Sequence, residues 1–371
     1  MIYADNAATT ALDTDAFEAM KPYLLQEYGN ASQPYSFARP AKIALASARQ
    51  TIADCIGAHP EEIFFTSGGT ESNNWAIKGT LQLGDSRPIL TSQIEHHAIL
   101  NTCAALERFG YPVSYLPVDK KGVVTPAILK KTITDTTKLV SVMTVNNEIG
   151  TIEPIKELAK IAHEHGALFH TDAVQAIGHI TIDVDDLDVD MLSASAHKFN
   201  GPKGIGFLYV RKGTDIHPFA DGGAQEFGMR AGTENVASIV AMAEALRKNC
   251  AHISETERRL RKMEDRLIQT LKAAEIDFIR NGADEHVPGN VSLSIKNASG
   301  EMLLHRLDLK GICISTGSAC DSVNTQISHV IRAISVPEEY ATGTIRISFG
   351  RNNQENDAQE IAEAIVGILR K

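Results

Sequence analysis

The sequence predicts an α/β protein: a large domain with a mainly parallel sheet covered by helices, then a smaller α+β domain. Two patterns carry this expectation. Short β-rich apolar runs at 63–66, 88–91, 113–116, 139–145, 167–171, 191–195 and 205–210 alternate with helical patterns such as 38–56, 97–109 and 155–165. Apolar strands of that kind suit a parallel sheet buried on both faces, because its crossover helices cover it. The alternation ends near Glu234, where a charged helical stretch runs to about Ala274 with Leu260, Met263, Leu267 and Leu271 on one stripe.

Past that stretch the pattern reads strand (278–280), strand (291–295), helix (301–308) and strand (344–349). A closing helix from about Glu355 aligns Ile361, Ile365 and Ile368. The expected large domain spans 14–250, and residues 1–13 with 251–371 form the smaller one. Gly166 fits a helix C-cap ahead of the strand at 167–171.

A chain of 371 residues, 43% of them hydrophobic, has material for two cores. Its 36 basic against 46 acidic residues give a net charge of −10, which speaks against a nucleic-acid footprint but not against a local phosphate pocket. The five cysteines (Cys55, Cys103, Cys250, Cys313, Cys320) are odd in number and lack metal-ligand spacing. They read as reduced thiols, with no metal site expected. No basic-then-apolar leader opens the chain and no apolar run is long enough to span a bilayer, so a soluble, cytoplasmic protein is expected.

The chemistry-bearing residues gather where apolar runs end. Ser67-Gly68-Gly69-Thr70 follows one strand and opens a helix, a place where backbone N–H groups and the helix dipole favour an anion. Viewed alone it reads better as an ordinary strand–helix turn capped by Thr70, since Gly-Gly-Thr turns are common. Asp172 ends the strand at 167–171, where open α/β sheets place ligands. It could pair with a protonated ring nitrogen or simply N-cap a helix at 173–177; Gln175 follows three residues on. Lys198 closes the run 190–196, with Ser195 and His197 beside it and Gly201-Pro202-Lys203-Gly204 after it. A desolvated lysine there suits a Schiff base to an aldehyde, although most lysines past strands are solvated. His96 or His97 could stack on an aromatic ring, and spacing alone does not separate them. Cys320 lies in the small, polar run 315–325, which suits a mobile nucleophile, whereas Cys313 reads as a buried hydrophobe. Arg346 could clamp a carboxylate or make a surface ion pair.

As an ordered set these motifs resemble the cysteine desulfurases of the class-V aminotransferase group. The matching segments are Tyr3–Thr10, Tyr28-Gly29-Asn30, 66–73, Glu95-His96, 145–150, 170–175, 195–204, 229–235, 317–320 and 344–350. The resemblance implies an aspartate-aminotransferase-like fold, pyridoxal 5′-phosphate as cofactor and a homodimer with sites at the subunit boundary. It assigns Lys198 to the cofactor aldehyde, Asp172 to the ring nitrogen, Gln175 to the ring hydroxyl and His96 to the ring face. Gly69, Thr70, Ser195 and His197 would hold the phosphate, joined by Thr233 from the other subunit. Asn146 would touch cofactor and substrate, and Arg346 the substrate carboxylate. L-cysteine would be converted to L-alanine, with its sulfur leaving as a persulfide on Cys320 for an acceptor protein, such as an iron–sulfur cluster scaffold or another sulfur carrier. The alternative is a selenocysteine/cysteine lyase or transaminase in which Cys320 is not essential.

Three departures stand out. The family's Gly-Gly-Gly-x-Glu-Arg-Gly run reads Gly222-Gly223-Ala224-Gln225-Glu226-Phe227-Gly228 here. Tyr35 stands where a histidine is usual, and Asp321 follows Cys320 where a threonine is common. A neighbouring carboxylate tends to raise a thiol pKa.

Overall fold

A computed structural model describes residues 1–82, 84–316 and 327–370. Its strands, in chain order, are β1 (Ile2–Tyr3), β2 (Ile63–Thr66), β3 (Ile89–Ser92), β4 (Val113–Leu116), β5 (Leu139–Ser141), β6 (Leu168–Asp172), β7 (Met191–Ser195), β8 (Gly206–Val210), β9 (Phe278–Arg280), β10 (Asn290–Ile295), β11 (Ile312–Cys313) and β12 (Thr344–Ser348). Seven of them form one sheet in the order β2-β8-β7-β6-β5-β3-β4. The pairs from β4 through β7 are parallel, and β8 is antiparallel to both β7 and β2. The architecture is the α/β arrangement expected, with an antiparallel edge on an otherwise parallel sheet.

Alternation along each strand explains why helices cover both faces. Ile63, Phe65, Phe207 and Tyr209 enter one core with helices Arg39–Ile56, Ile155–Glu164 and Val236–Ala251. Phe64, Leu208 and Met191 turn the other way, onto Trp75, Ile77, Ile99 and Cys103 of helices Gly69–Gly79 and His97–Arg108. Gly57 closes Arg39–Ile56 at φ 72°, a left-handed cap that costs a glycine little.

A separate core joins the antiparallel sheet β12-β10-β9 to helices Ile253–Ala273 and Glu355–Leu369 through Leu260, Leu267, Val291, Leu293, Ile345, Ile361 and Ile365. The first residues of the chain belong with it: Ala4 is buried there, and β1 pairs with β11 in parallel. No helix among the described residues is long and apolar enough to cross a membrane.

Two expectations are corrected. The helical stretch 234–274 is two helices, broken at His252, whose φ of −122° leaves the helical region and whose backbone caps both. The run 139–145 is regular only to Ser141. Beyond it Val142 and Thr144 still donate to His170 O and Asp172 O, but Met143 N–H turns to the Glu95 carboxylate and interrupts the ladder.

His170, in β6, gives the fold a measurable pH dependence. It is wholly buried, with Ser141 Oγ 2.9 Å from Nδ1 and Ser193 Oγ 2.9 Å from Nε2. Burial pushes its pKa from the ordinary 6.5 down to about 3. The unfolded chain therefore binds the extra proton, so this group's stabilising effect is complete above pH 6.5 and is lost as pH falls toward 3. One proton corresponds to a slope of about 1.4 kcal/mol per pH unit. Urea unfolding followed across that range is expected to show a decline shallower by this amount in His170→Asn. Identical slopes in both proteins would refute the assignment.

Candidate active site

The carboxyl ends of the parallel strands open into a cavity of about 580 Å³. Its walls come largely from strand ends and the turns after them, joined by residues 7–9, by Ser328 and His329 at a helix start and by Arg346 from within β12. The glycine turn after β2 starts helix Gly69–Gly79, with Gly68 at φ 144°. A Cβ on Gly69 would lie 2.7 Å from Val174 Cγ2 and 3.5 Å from Ser195 Cβ, so only glycine lets this helix start approach the ends of β6 and β7. The first N–H groups of a helix have no intrahelical partner, which makes this wall an anion cradle. Thr70 stands exposed on its rim.

Asp172 closes β6 and is held from two sides. Its Oδ1 accepts from Val174 N–H at 3.0 Å, and its Oδ2 accepts from Asn73 Nδ2 at 2.6 Å. Residues 173–177 form a turn rather than the helix that an N-cap reading implied, so Asp172 orients itself without capping one. Asn73 sits four residues after Gly69 on the same helix face. That spacing was available in the sequence as the signal for its role.

Lys198 ends the 3-10 turn after β7. Its Nζ donates to Ala7 O at 2.6 Å and Ala8 O at 2.7 Å, while Gln175 Nε2 donates to the same Ala7 O at 2.9 Å. His197 Nδ1 pairs with Thr9 Oγ1 at 3.1 Å. Burial, reinforced by Lys198 and Lys203, pushes the His197 pKa down to about 4, so its imidazole is neutral at neutral pH. His96 caps helix His97–Arg108, its Nδ1 accepting from Ala98 N–H at 3.1 Å. Its pKa is also lowered, by burial first and then by Lys198 and His97, with Asp172 opposing.

Behind His96 lies Glu95, fully buried, accepting from Ser92 Oγ at 2.5 Å and Met143 N–H at 3.0 Å. Burial, aided by Asp172, pushes its pKa up to about 8, against the lowering effect of those two donors. Burial thus favours the neutral form of this carboxyl over the charged one.

Arg346 is 4% exposed, not on the surface. Its guanidinium donates to Asn147 O and to Asp5 Oδ1, each at 2.8 Å, and its Nε is buried without a partner among the described residues. Ser328 Oγ donates to Glu148 Oε2 at 2.6 Å on the same wall.

The structure thus brings Gly69, Thr70, His96, Asp172, Gln175, Ser195, His197, Lys198 and Arg346 to one cavity. It does not bring Asn146 there. That side chain is enclosed, donating to Ile94 O and accepting from Glu148 and Ile149 N–H, and the wall position belongs to Asn147. Thr233 is exposed beside a separate cavity with Glu226 and Arg230. Cys320 and Asp321 lie outside the described residues.

The altered glycine run has its own logic. Glu226 (φ 46°) is buried and takes a bidentate pair from Arg49 at 2.7 and 2.9 Å plus Phe65 N–H at 2.8 Å. Phe227 (φ 58°) stays 65% exposed, its ring 5.1 Å from the Arg49 guanidinium, which also lies over Phe65. Tyr35 is also exposed, away from the cavity wall.

Glycine cradle, buried aspartate and strand-end lysine define a cofactor-type site on a parallel α/β sheet. The chain matches the Aminotransferase class-V family over residues 2–361 and belongs to it. Among curated relatives, the cysteine desulfurase IscS of Methanosarcina thermophila is 48% identical, across 100% of this chain and 92% of the relative. A solved structure named "NIFS-LIKE PROTEIN" superposes with a TM-score of 0.93 at 37% identity, covering 100% of this chain and 99% of that one. The structure "SspA in complex with cysteine" gives 0.85 at 36%, covering 94% and 99%.

Proposed function

We propose that the protein is a pyridoxal-phosphate-dependent cysteine desulfurase. The convergence of Lys198, Asp172, His96 and Arg346 on one cavity with a glycine anion cradle carries this reading. The identity to curated cysteine desulfurases over the whole chain supports it.

The donor set fits pyridoxal 5′-phosphate. Gly69, Thr70, Ser195 and His197 would hold the phosphate, Asp172 the ring nitrogen, Gln175 the ring hydroxyl and His96 the ring face. Bound there, the cofactor supplies an electron sink that acidifies the Cα–H of a substrate amino acid. Arg346 binds the substrate carboxylate, with Asp5 and the Asn147 carbonyl fixing its plane. Lys198 Nζ, held at the strand end by two carbonyls, takes the Cα proton. The Cys320 thiolate attacks the substrate sulfur; the new S–S bond forms as the Cβ–S bond breaks, leaving a persulfide on Cys320 and alanine. An acceptor protein, such as an iron–sulfur cluster scaffold or other sulfur carrier, then collects the sulfane sulfur.

A homodimer completes this reading. Leu12, Phe17, Leu24, Leu25, Tyr28, Tyr35, Phe37 and Ile43 are all exposed within one short stretch, a concentration of apolar surface that a second copy would cover. Thr233, remote from its own cavity, would serve the partner's phosphate site.

Alanine released from L-cysteine, measured with the protein-bound persulfide, tests the proposal. Wild type is expected to form both, and Cys320→Ala to retain the cofactor absorbance but form no persulfide. Undiminished alanine formation in Cys320→Ala would remove Cys320 from its role. Comparable transamination of several other amino acids would replace the proposal with the alternative chemistry.

A further inference from the structure

A pair of thiols outside the active site has no part in this chemistry. Cys55, in the last turn of helix Arg39–Ile56, and Cys250, in the last turn of Val236–Ala251, meet where these two helices pack. Their side chains lie close enough to influence each other's ionisation. Both line a second cavity, of about 410 Å³, together with Thr51, Arg247, Ile180 and Ile253. Both side chains are part-exposed, unlike Cys103, which is buried. Two neighbouring thiols at the wall of one cavity can close a disulfide once their Cβ atoms come within about 4.5 Å, and the cavity has room for a small reagent.

We propose that Cys55 and Cys250 form a dithiol site that takes the electrophilic sulfur of a small S–S compound, a persulfide or a disulfide, and closes to an intramolecular disulfide. Cys250 is the attacking thiol: it lines the cavity, and its interaction with the neighbouring Cys55 lowers its pKa from the ordinary value despite burial. With a persulfide R–S–SH, Cys250 attacks the outer sulfur; the S–S bond breaks and R–S⁻ leaves, taking a proton as RSH. Cys55 then attacks the inner sulfur of the Cys250 persulfide, forming the Cys55–Cys250 bond and releasing sulfide. The two protein thiols are oxidised and the sulfane sulfur is reduced, giving one RSH and one H₂S. With a disulfide R–S–S–R, the same two attacks release two RSH. The site would sense or discharge sulfane sulfur that escapes the acceptor, and the bond would staple two helices of the large core.

The experiment uses the holoprotein carrying Cys320→Ala, so the outcome does not depend on whether desulfuration is the right reaction. Four of the five cysteines then remain. Glutathione persulfide is added in one arm and oxidised glutathione in the other. Denatured thiol counts and non-reducing peptide mapping are the readouts. In the reacting arm, thiols are expected to fall from four to two, with a cross-linked peptide joining Cys55 to Cys250; sulfide release marks the persulfide arm. Adding Cys55→Ser is expected to arrest the reaction as an adduct on Cys250, and adding Cys250→Ser to leave Cys55 unmodified. Absence of the cross-link in both arms, or modification of Cys103 or Cys313 in preference to the pair, would overturn the proposal.

Discussion

Lys198→Ala is expected to abolish turnover of L-cysteine and the visible absorbance of covalently held pyridoxal phosphate. The loss in rate is put at roughly 10⁴-fold or more, the upper range for removing a general base. The reason is positional. Nζ sits between the ends of β7 and the 7–8 carbonyls, and the other lysine at this cavity, Lys203, is exposed on its rim. Folding is expected to survive, since Ala7 O keeps the Gln175 amide and the net loss of such hydrogen bonds is about 1 kcal/mol each. Lys198→Arg sharpens the test. It keeps a cation near the same carbonyls but cannot give up a proton, so it should be as inactive as alanine. Stopped-flow spectra with thermal melting of all three proteins decide the matter; measurable turnover in Lys198→Arg would contradict the proton-transfer role.

The second large effect is expected at Asp172. Asp172→Asn keeps the shape and the Val174 contact but removes the carboxylate proposed to face the ring nitrogen. Loss of one preorganised electrostatic partner typically costs about 10²–10³-fold in kcat. KM should change little if, as proposed, Arg346 binds the substrate carboxylate elsewhere in the cavity. Steady-state alanine production measures both constants. A large rise in KM with kcat unchanged would mean that Asp172 organises the substrate pocket and not the cofactor.

Local signals in the sequence carried much of this site, and their reach explains where they failed. Asp172, Ser195 and Lys198 were visible because each lies at or just past the end of an apolar strand, and a strand's end is written in a handful of adjacent residues. The glycines at 68 and 69 were visible for the same reason. Arg346 was open to two readings because its partner Asp5 is 341 residues away, a distance that no periodicity spans. Asn146 and Asn147 are adjacent and chemically identical, so only the turn that follows β5 decides which faces the cavity. Glu95 stood next to His96 in a quoted motif, yet its burial and raised pKa follow from β3 and β5 meeting around it. The break at His252 was hidden because helical periodicity continues on both sides of it.

The segment 3–10 has a consequence for how the molecule comes into being. Ala7 N–H donates to Ser348 Oγ, Asn6 N–H to Ser348 O, and Ser348 N–H to Ala4 O, so β12 fixes this segment in place. The same few residues then offer Ala7 O and Ala8 O to Lys198 and Thr10 to the backbone of His197. During synthesis, residues 4–8 must therefore wait for Ser348, more than 300 residues later, before the lysine finds its seat. Ends so far apart in sequence make closing the chamber a late folding event. The reactive amine thus finds its two carbonyl partners only after the chain has been made through Ser348.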